Sequence, residues 1–131
     1  MRTLAWLIGA TVAIGGVHAC GGEGQPLAPA GGVLRATLTT PGRTTGAVLI
    51  QVSGGSVDSV TAAGYLTYAA RFGSDSTLFI VVGNVRNGVI ARLHVPDAGA
   101  AASYQATVRQ AAERNTFNLL SPADYSVTLG K

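Results

Sequence analysis

Beyond residue 19 the chain holds one histidine, His94, and that single imidazole bounds the chemistry available to it. A nucleophilic triad needs a histidine beside a serine or cysteine, with an acid to orient it. Serines are plentiful, and Asp58, Asp75, Asp97 and Asp124 supply acids, so the ingredients exist. Their arrangement does not favour such a site. His94 falls in an alternating run that puts Arg92 on the same face, and no Gly-x-Ser-x-Gly elbow occurs. The pattern reads as a solvent-facing histidine on a strand. Zinc wants clustered cysteine and histidine, whereas this stretch offers only Cys20 and His94. Calcium wants several oxygen ligands close together. The four aspartates are far apart and lie at or beside turns, where a carboxylate caps backbone N–H groups. A glycosidase-like carboxylate pair would have to come from six scattered acids. No glycine-rich segment has a phosphate-loop spacing. The expectation is a protein with no catalytic residues, no metal and no cofactor.

Sugar binding usually shows exposed aromatic rings, and the only tryptophan, Trp6, lies near the N-terminus. Tyr68, Tyr104 and Tyr125 alternate with core positions and read as packing residues. Tyr65 is the candidate for an exposed ring, and carbohydrate binding stays a minor option. Charged residues make up 11% of the chain, against about 25% in an ordinary soluble domain. The cations are scattered singly, without the concentrated basic footprint that nucleic-acid binding needs.

These residues must be carried by elements, and the first is apolar. Leu4 to Val17 is a run of 14 residues preceded by Arg2. A bilayer span takes about 20 residues, so the run fits the core of a secretory signal with small residues before a cleavage point. Val17-His18-Ala19-Cys20 resembles the bacterial lipobox, an aliphatic residue and two small ones before an obligatory cysteine; His18 departs from the usual small residue. The resemblance implies that residues 1–19 are removed and that Cys20 is acylated to become the N-terminus. Gly21 at the next position would favour the outer membrane in a Gram-negative cell. Buried methylenes contribute about 0.8 kcal/mol each, so several acyl chains together hold a protein firmly at a membrane. Two alternatives remain: an ordinary signal cut after Ala19, leaving Cys20 a free thiol, or a buried cytoplasmic helix. Cys20 is the only cysteine, so an internal disulfide is excluded. Loss of Arg2 takes the net charge from +3 to +2. Residues 20–32, with Gly21, Gly22, Gly24, Pro26, Pro29, Gly31 and Gly32, read as a flexible tether.

From residue 33 to 131 the dominant signal is alternation, the mark of half-buried strands. Leu34, Ala36 and Leu38 share one face of a first strand; Val48, Ile50 and Val52 share one face of a second, over 47–53. A short third strand covers 57–62. Leu66, Tyr68, Ala70 and Phe72 lie on one face of a fourth. Thr77 to Val82 is apolar on both faces, which predicts a central strand covered on both sides. Asn87-Gly88 predicts a type I′ hairpin turn, followed by a strand with Val89, Ala91, Leu93 and Val95 inward. Residues 98–102 read as loop. Residues 103–114 fit either a strand or a helix, with strand favoured for the first half. A short strand at 117–120 and a last one carrying Tyr125, Val127 and Leu129 complete the chain. Eight or nine short strands at regular spacing predict an all-β domain, a β-sandwich.

The stretch from Gly46 to Leu129 resembles a cohesin-like β-sandwich. The likeness lies in Gly46-Ala47-Val48-Leu49-Ile50-Gln51-Val52, Val57-Asp58-Ser59-Val60-Thr61, the run Gly88 to Val95, and Tyr104-Gln105-Ala106-Thr107-Val108. It implies a non-catalytic protein-binding module and carries over no site residue. The expected protein is a lipid-anchored envelope component, held to the membrane by acyl chains on Cys20, that binds another envelope or extracellular protein. A structural lipoprotein acting through self-association as a homo-oligomer is the alternative, motivated by low charge and the doubly apolar run 77–82. An enzyme built around His94 is the third reading.

Overall fold

The computed structural model describes residues 28–42 and 44–131. The signal assigned to 1–19, Cys20 and most of the tether lie outside the described residues. Nine strands follow: β1 (Gly32–Thr39), β2 (Thr45–Ser53), β3 (Ser59–Ala62), β4 (Leu66–Arg71), β5 (Ser76–Val85), β6 (Gly88–Val95), β7 (Gln105–Glu113), β8 (Leu119–Leu120) and β9 (Ser126–Gly130). A 3-10 helix at Ala98–Ser103 joins β6 to β7, and another at Pro122–Asp124 precedes β9. The strands form two antiparallel sheets, a four-stranded one ordered β3-β6-β1-β9 and a five-stranded one ordered β4-β5-β2-β7-β8. This is an all-β sandwich, as the alternation predicts.

The core is what the two inner faces enclose. β1 contributes Leu34, Ala36 and Leu38; β2 contributes Val48, Ile50 and Val52, all at 1% exposure or less. Phe79 and Val81 of β5 and Leu93 and Val95 of β6 face them. Complete burial of one such side chain contributes about 1.5–3 kcal/mol, so this interior holds the domain together without a disulfide. Two buried tyrosines tie the sheet ends to the core through their hydroxyls. Tyr104 donates to the Ser56 carbonyl at 2.8 Å, and the Tyr125 hydroxyl shares a hydrogen bond with Thr45 Oγ1 at 2.7 Å.

Several expectations change. Residues 105–113 are strand throughout, because β7 pairs with β2 along its whole length. Residues 98–102 are not loop but 3-10 helix, capped where Asp97 Oδ1 accepts from Gly99 N at 2.8 Å. The third strand shrinks to β3, with Val57 buried ahead of it. Asn87-Gly88 makes no hairpin, since β5 and β6 belong to different sheets; there the chain crosses the sandwich, and Asn87 Oδ1 accepts from Thr40 N at 2.6 Å. A hairpin forms instead between β4 and β5, where Phe72 N donates to Ser76 O and Gly73 takes a φ of +88°. Ala91, Leu93 and Val95 of β6 face inward as expected, but the register shift at Ala36 and Thr37 leaves Ile90 as an extra residue, so Ile90 is buried beside Ala91 and Val89 turns out. An extra residue in one strand breaks the two-residue period on which the inward assignment rests. Gly32 belongs to β1, where an added Cβ would come within 2.4 Å of Ala98 Cβ; close approach, not flexibility, requires the glycine.

The expectation that 77–82 is covered on both sides is also corrected. Phe79 and Val81 point into the core, but Leu78 and Ile80 are only half-buried and Val82 is exposed on the other face. Among the described residues no element lies over that outer face. Neighbouring side chains shield one another across the ladder, and that gives the partial burial.

Candidate functional site

The residues that could do chemistry come together only in part. His94 lies on the outer face of the four-stranded sheet, opposite Val33 on β1 and Ser59 on β3. The fold thus places a serine and the histidine side by side, which their 35-residue separation does not announce. No hydrogen bond joins them, although a serine activated by histidine needs one of about 2.6–3.2 Å. Arg92 is next on that face, directly opposite Arg35. Like charges in opposite register repel, so this face carries two adjacent cations. Asp58 stands beside Ser59, and its backbone N–H donates to the His94 carbonyl at 2.8 Å.

The other acids serve turns or solvent. Asp97 caps its 3-10 helix, Asp124 lies in the second one, and Asp75 is exposed in the β4–β5 hairpin. Among the described residues no three histidine, cysteine, aspartate or glutamate side chains converge on a common point. Burial holds the Tyr104 phenol above its usual pKa, with Asp58 and Asp97 adding to the shift. That tyrosine is structural, fixed between Ser56 and the glycines Gly54 and Gly55 that let the chain approach its ring.

The tyrosine assignments exchange places. Tyr104 and Tyr125 are core residues, as expected. Tyr65, the candidate for an exposed ring, packs against the core and lies over Gly83. Tyr68, assigned to the core, is 75% exposed on β4. The alternation of Leu66, Tyr68 and Ala70 is real, but the apolar side faces outward.

That side is part of the largest feature of the surface. The ladder aligns Leu66, Val82, Ala47, Ala112 and Leu119 in one row across all five strands. A second row runs Tyr68, Ile80, Leu49 and Gln110. Leu66 is 77% exposed and Leu119 75%. None of these positions is ionised, and the neighbouring row of Ala70, Leu78, Gln51 and Thr107 is uncharged too. Exposed Arg109 stands beside these rows where the register of β7 shifts, while Arg71 pairs with inward-facing Thr77 and lies on the other side of β4. The small side chains of Ala47 and Ala112 leave two adjoining hollows in the face. One, of about 110 Å³, reaches toward Leu49, Ile80 and Leu119. The other, of about 200 Å³, reaches Val82 and Phe117 and is lined on its far side by Asn84, Glu113 and Arg114. Phe117 is 80% exposed and holds a φ of +58°, which a bulky residue rarely adopts.

Contiguous exposed apolar surface of this kind is uncommon on folded monomeric domains. The sequence held a signal for it: a strand apolar on both faces needs a partner on each, and only one belongs to the core. Neither a family model, nor a curated protein sequence, nor a solved structure matches the chain.

Proposed function

We propose that this chain is an exported, lipid-anchored, non-catalytic β-sandwich that docks a protein partner on the outer face of its five-stranded sheet. The uncharged apolar rows through Tyr68, Ile80 and Leu49 carry the reading. A face whose rows carry no ionised side chain favours another apolar protein surface over a charged polymer or a small polar substrate. The lipobox-like Val17-His18-Ala19-Cys20 supplies the anchor, with Gly21 directing it to the outer membrane of a Gram-negative cell. The cohesin-like resemblance agrees with a binding module. The first described strand, β1, belongs to the opposite sheet.

Both halves are testable. The N-terminal peptide from the membrane fraction should carry an acylated Cys20, and Cys20→Ala should leave the membrane. An unmodified Cys20, or a mature protein starting elsewhere, would remove the anchor from the reading. Detergent-solubilised wild-type chain should migrate as a complex, and Leu66→Asp should release it at unchanged membrane content. If both migrate as free monomers, the docking face is abandoned.

A further inference from the structure

We propose that the partner of the five-stranded sheet is another protein that adds an extended segment as a further strand along the free edge of β4. The inference rests on the docking reading above, and it names the mode of contact and the chemistry of the segment that makes it.

The ladder shows which backbone groups are open. Phe72 N donates to Ser76 O at 2.8 Å, so these two residues form a hydrogen-bonded pair. In an antiparallel ladder such pairs alternate with pairs that are not bonded. Continuing the register, Ala70, Tyr68 and Leu66 bond to Leu78, Ile80 and Val82 of β5. The Ile80 carbonyl does face β4, where it also accepts from Thr67 Oγ1 at 2.9 Å. Thr67, Ala69 and Arg71 therefore turn their N–H and C=O groups the other way. β4 ends its sheet, with β5 as its one paired neighbour among the described residues, so that row of donors and acceptors has no strand to meet. An extended backbone is the chemistry that completes it.

Native proteins blunt such edges with short strands, lysine, proline, bulges or polar cover. Among the described residues the other edges do so. β8 has two residues, β3 has four and turns Ser59 and Thr61 outward, and β9 turns Ser126 and Thr128 outward. β4 is six residues long, unbulged and without proline or lysine, and it turns Leu66, Tyr68 and Ala70 outward. Leu66 is 77% exposed, Tyr68 75%, and no residue of the strand is buried. Its apolar side chains gain no burial within the domain. An added strand supplies their missing cross-strand neighbours, so the incoming segment should carry apolar residues at alternate positions on the outer face. Its other side meets Thr67, Ala69 and Arg71, which favours small, polar or acidic residues there.

A second copy fits less well. Two β4 edges paired about a two-fold axis would join the sheets side by side and leave both outer faces, with Leu49, Ile80 and Leu119, as uncovered as before. A foreign chain that enters through β4 can lay its body over that face.

The test compares Ala69→Pro with Ala69→Val in the full chain, solubilised from membranes in detergent and run on native gels. Proline removes the outward N–H of residue 69 and no β4–β5 bond, and edge strands accept it; valine keeps the N–H. Ala69→Val should retain the wild-type complex, and Ala69→Pro should reduce it by roughly tenfold at unchanged melting temperature and membrane content. Mass spectrometry of the complex should show a second protein. Hydrogen exchange gives a reading that needs no variant: in the wild-type complex the Thr67, Ala69 and Arg71 amides should exchange roughly tenfold more slowly than in the free domain. Unchanged exchange there, or a complex that survives Ala69→Pro but is released by Leu66→Asp, would overturn strand addition and leave the docking reading standing. A complex made only of this chain would also overturn the proposal. Free monomer in the wild type would overturn both.

Discussion

Tyr104 concentrates several demands in one residue. Its hydroxyl donates to Ser56, its ring is buried, and a Cβ at Gly55 would lie 2.5 Å from its Cζ. Because the folded pKa is raised above the unfolded value of about 10, the neutral phenol contributes stability in full below pH 10. That contribution falls as pH climbs through the folded value. Absorbance titration at 295 nm should therefore show one tyrosine ionising above the usual phenol range, and urea unfolding should show stability declining above pH 10. Tyr104→Phe should remove the late titration. The neighbouring turn is equally constrained: Gly54 has a φ of +92°, and an added Cβ would meet the Ser103 carbonyl oxygen at 1.9 Å. Gly54→Ala should lower stability by about 1–3 kcal/mol through strain and displacement, read from the urea midpoint. The turn at Gly54-Gly55 is legible in the sequence. The reason both glycines are needed is not, since the atoms they make room for come from the far end of the 3-10 helix.

Among the elements, β4 and β5 separate packing from docking. Phe79 is 1% exposed and its inward neighbours are core residues, so Phe79→Ala should cost about 3–5 kcal/mol. Leu66→Asp, on the exposed edge strand, should stay within about 0.5 kcal/mol of wild type. Chemical unfolding of the two variants measures the contrast, and a large loss for Leu66→Asp would show that the outer face helps to hold the fold. Strand positions were readable wherever the two-residue period runs unbroken, as in β1, in β2 from Ala47 onward and in β9. They slipped at the bulge in β6 and at Asn87-Gly88, where a turn sequence that favours a hairpin is used to change sheets. Residues 103–114 could not be divided between helix and strand from spacing alone, because Tyr104, Val108, Ala111 and Ala112 satisfy both periods. Pairing of β7 with β2 decides it.

At the scale of the molecule the two outer faces differ in kind. One bears Arg35, Arg92 and His94 beside serine and threonine; the other bears the uncharged rows around Leu49 and Ile80. This polarity fits a domain that docks through its uncharged rows. If the proposed anchor is right, Cys20→Ala should move the protein out of the membrane fraction without changing its melting temperature. A lowered melting temperature would mean that the segment before residue 28 takes part in the fold.

By itself the sequence determined the class of fold, the inward sets of its most regular strands, the lack of charge and the single cysteine in its lipobox-like setting. These are local properties, carried by side-chain period and composition. Tertiary structure decided which strands are neighbours. That decision sets Ser59 beside His94, joins Leu66 to Leu119 across five strands, and turns Tyr68 to solvent and Tyr65 toward the core. Alternation says that two faces exist and which residues share them. It cannot say which face will be covered, because burial depends on pairings between segments as distant as Thr45 and Glu113.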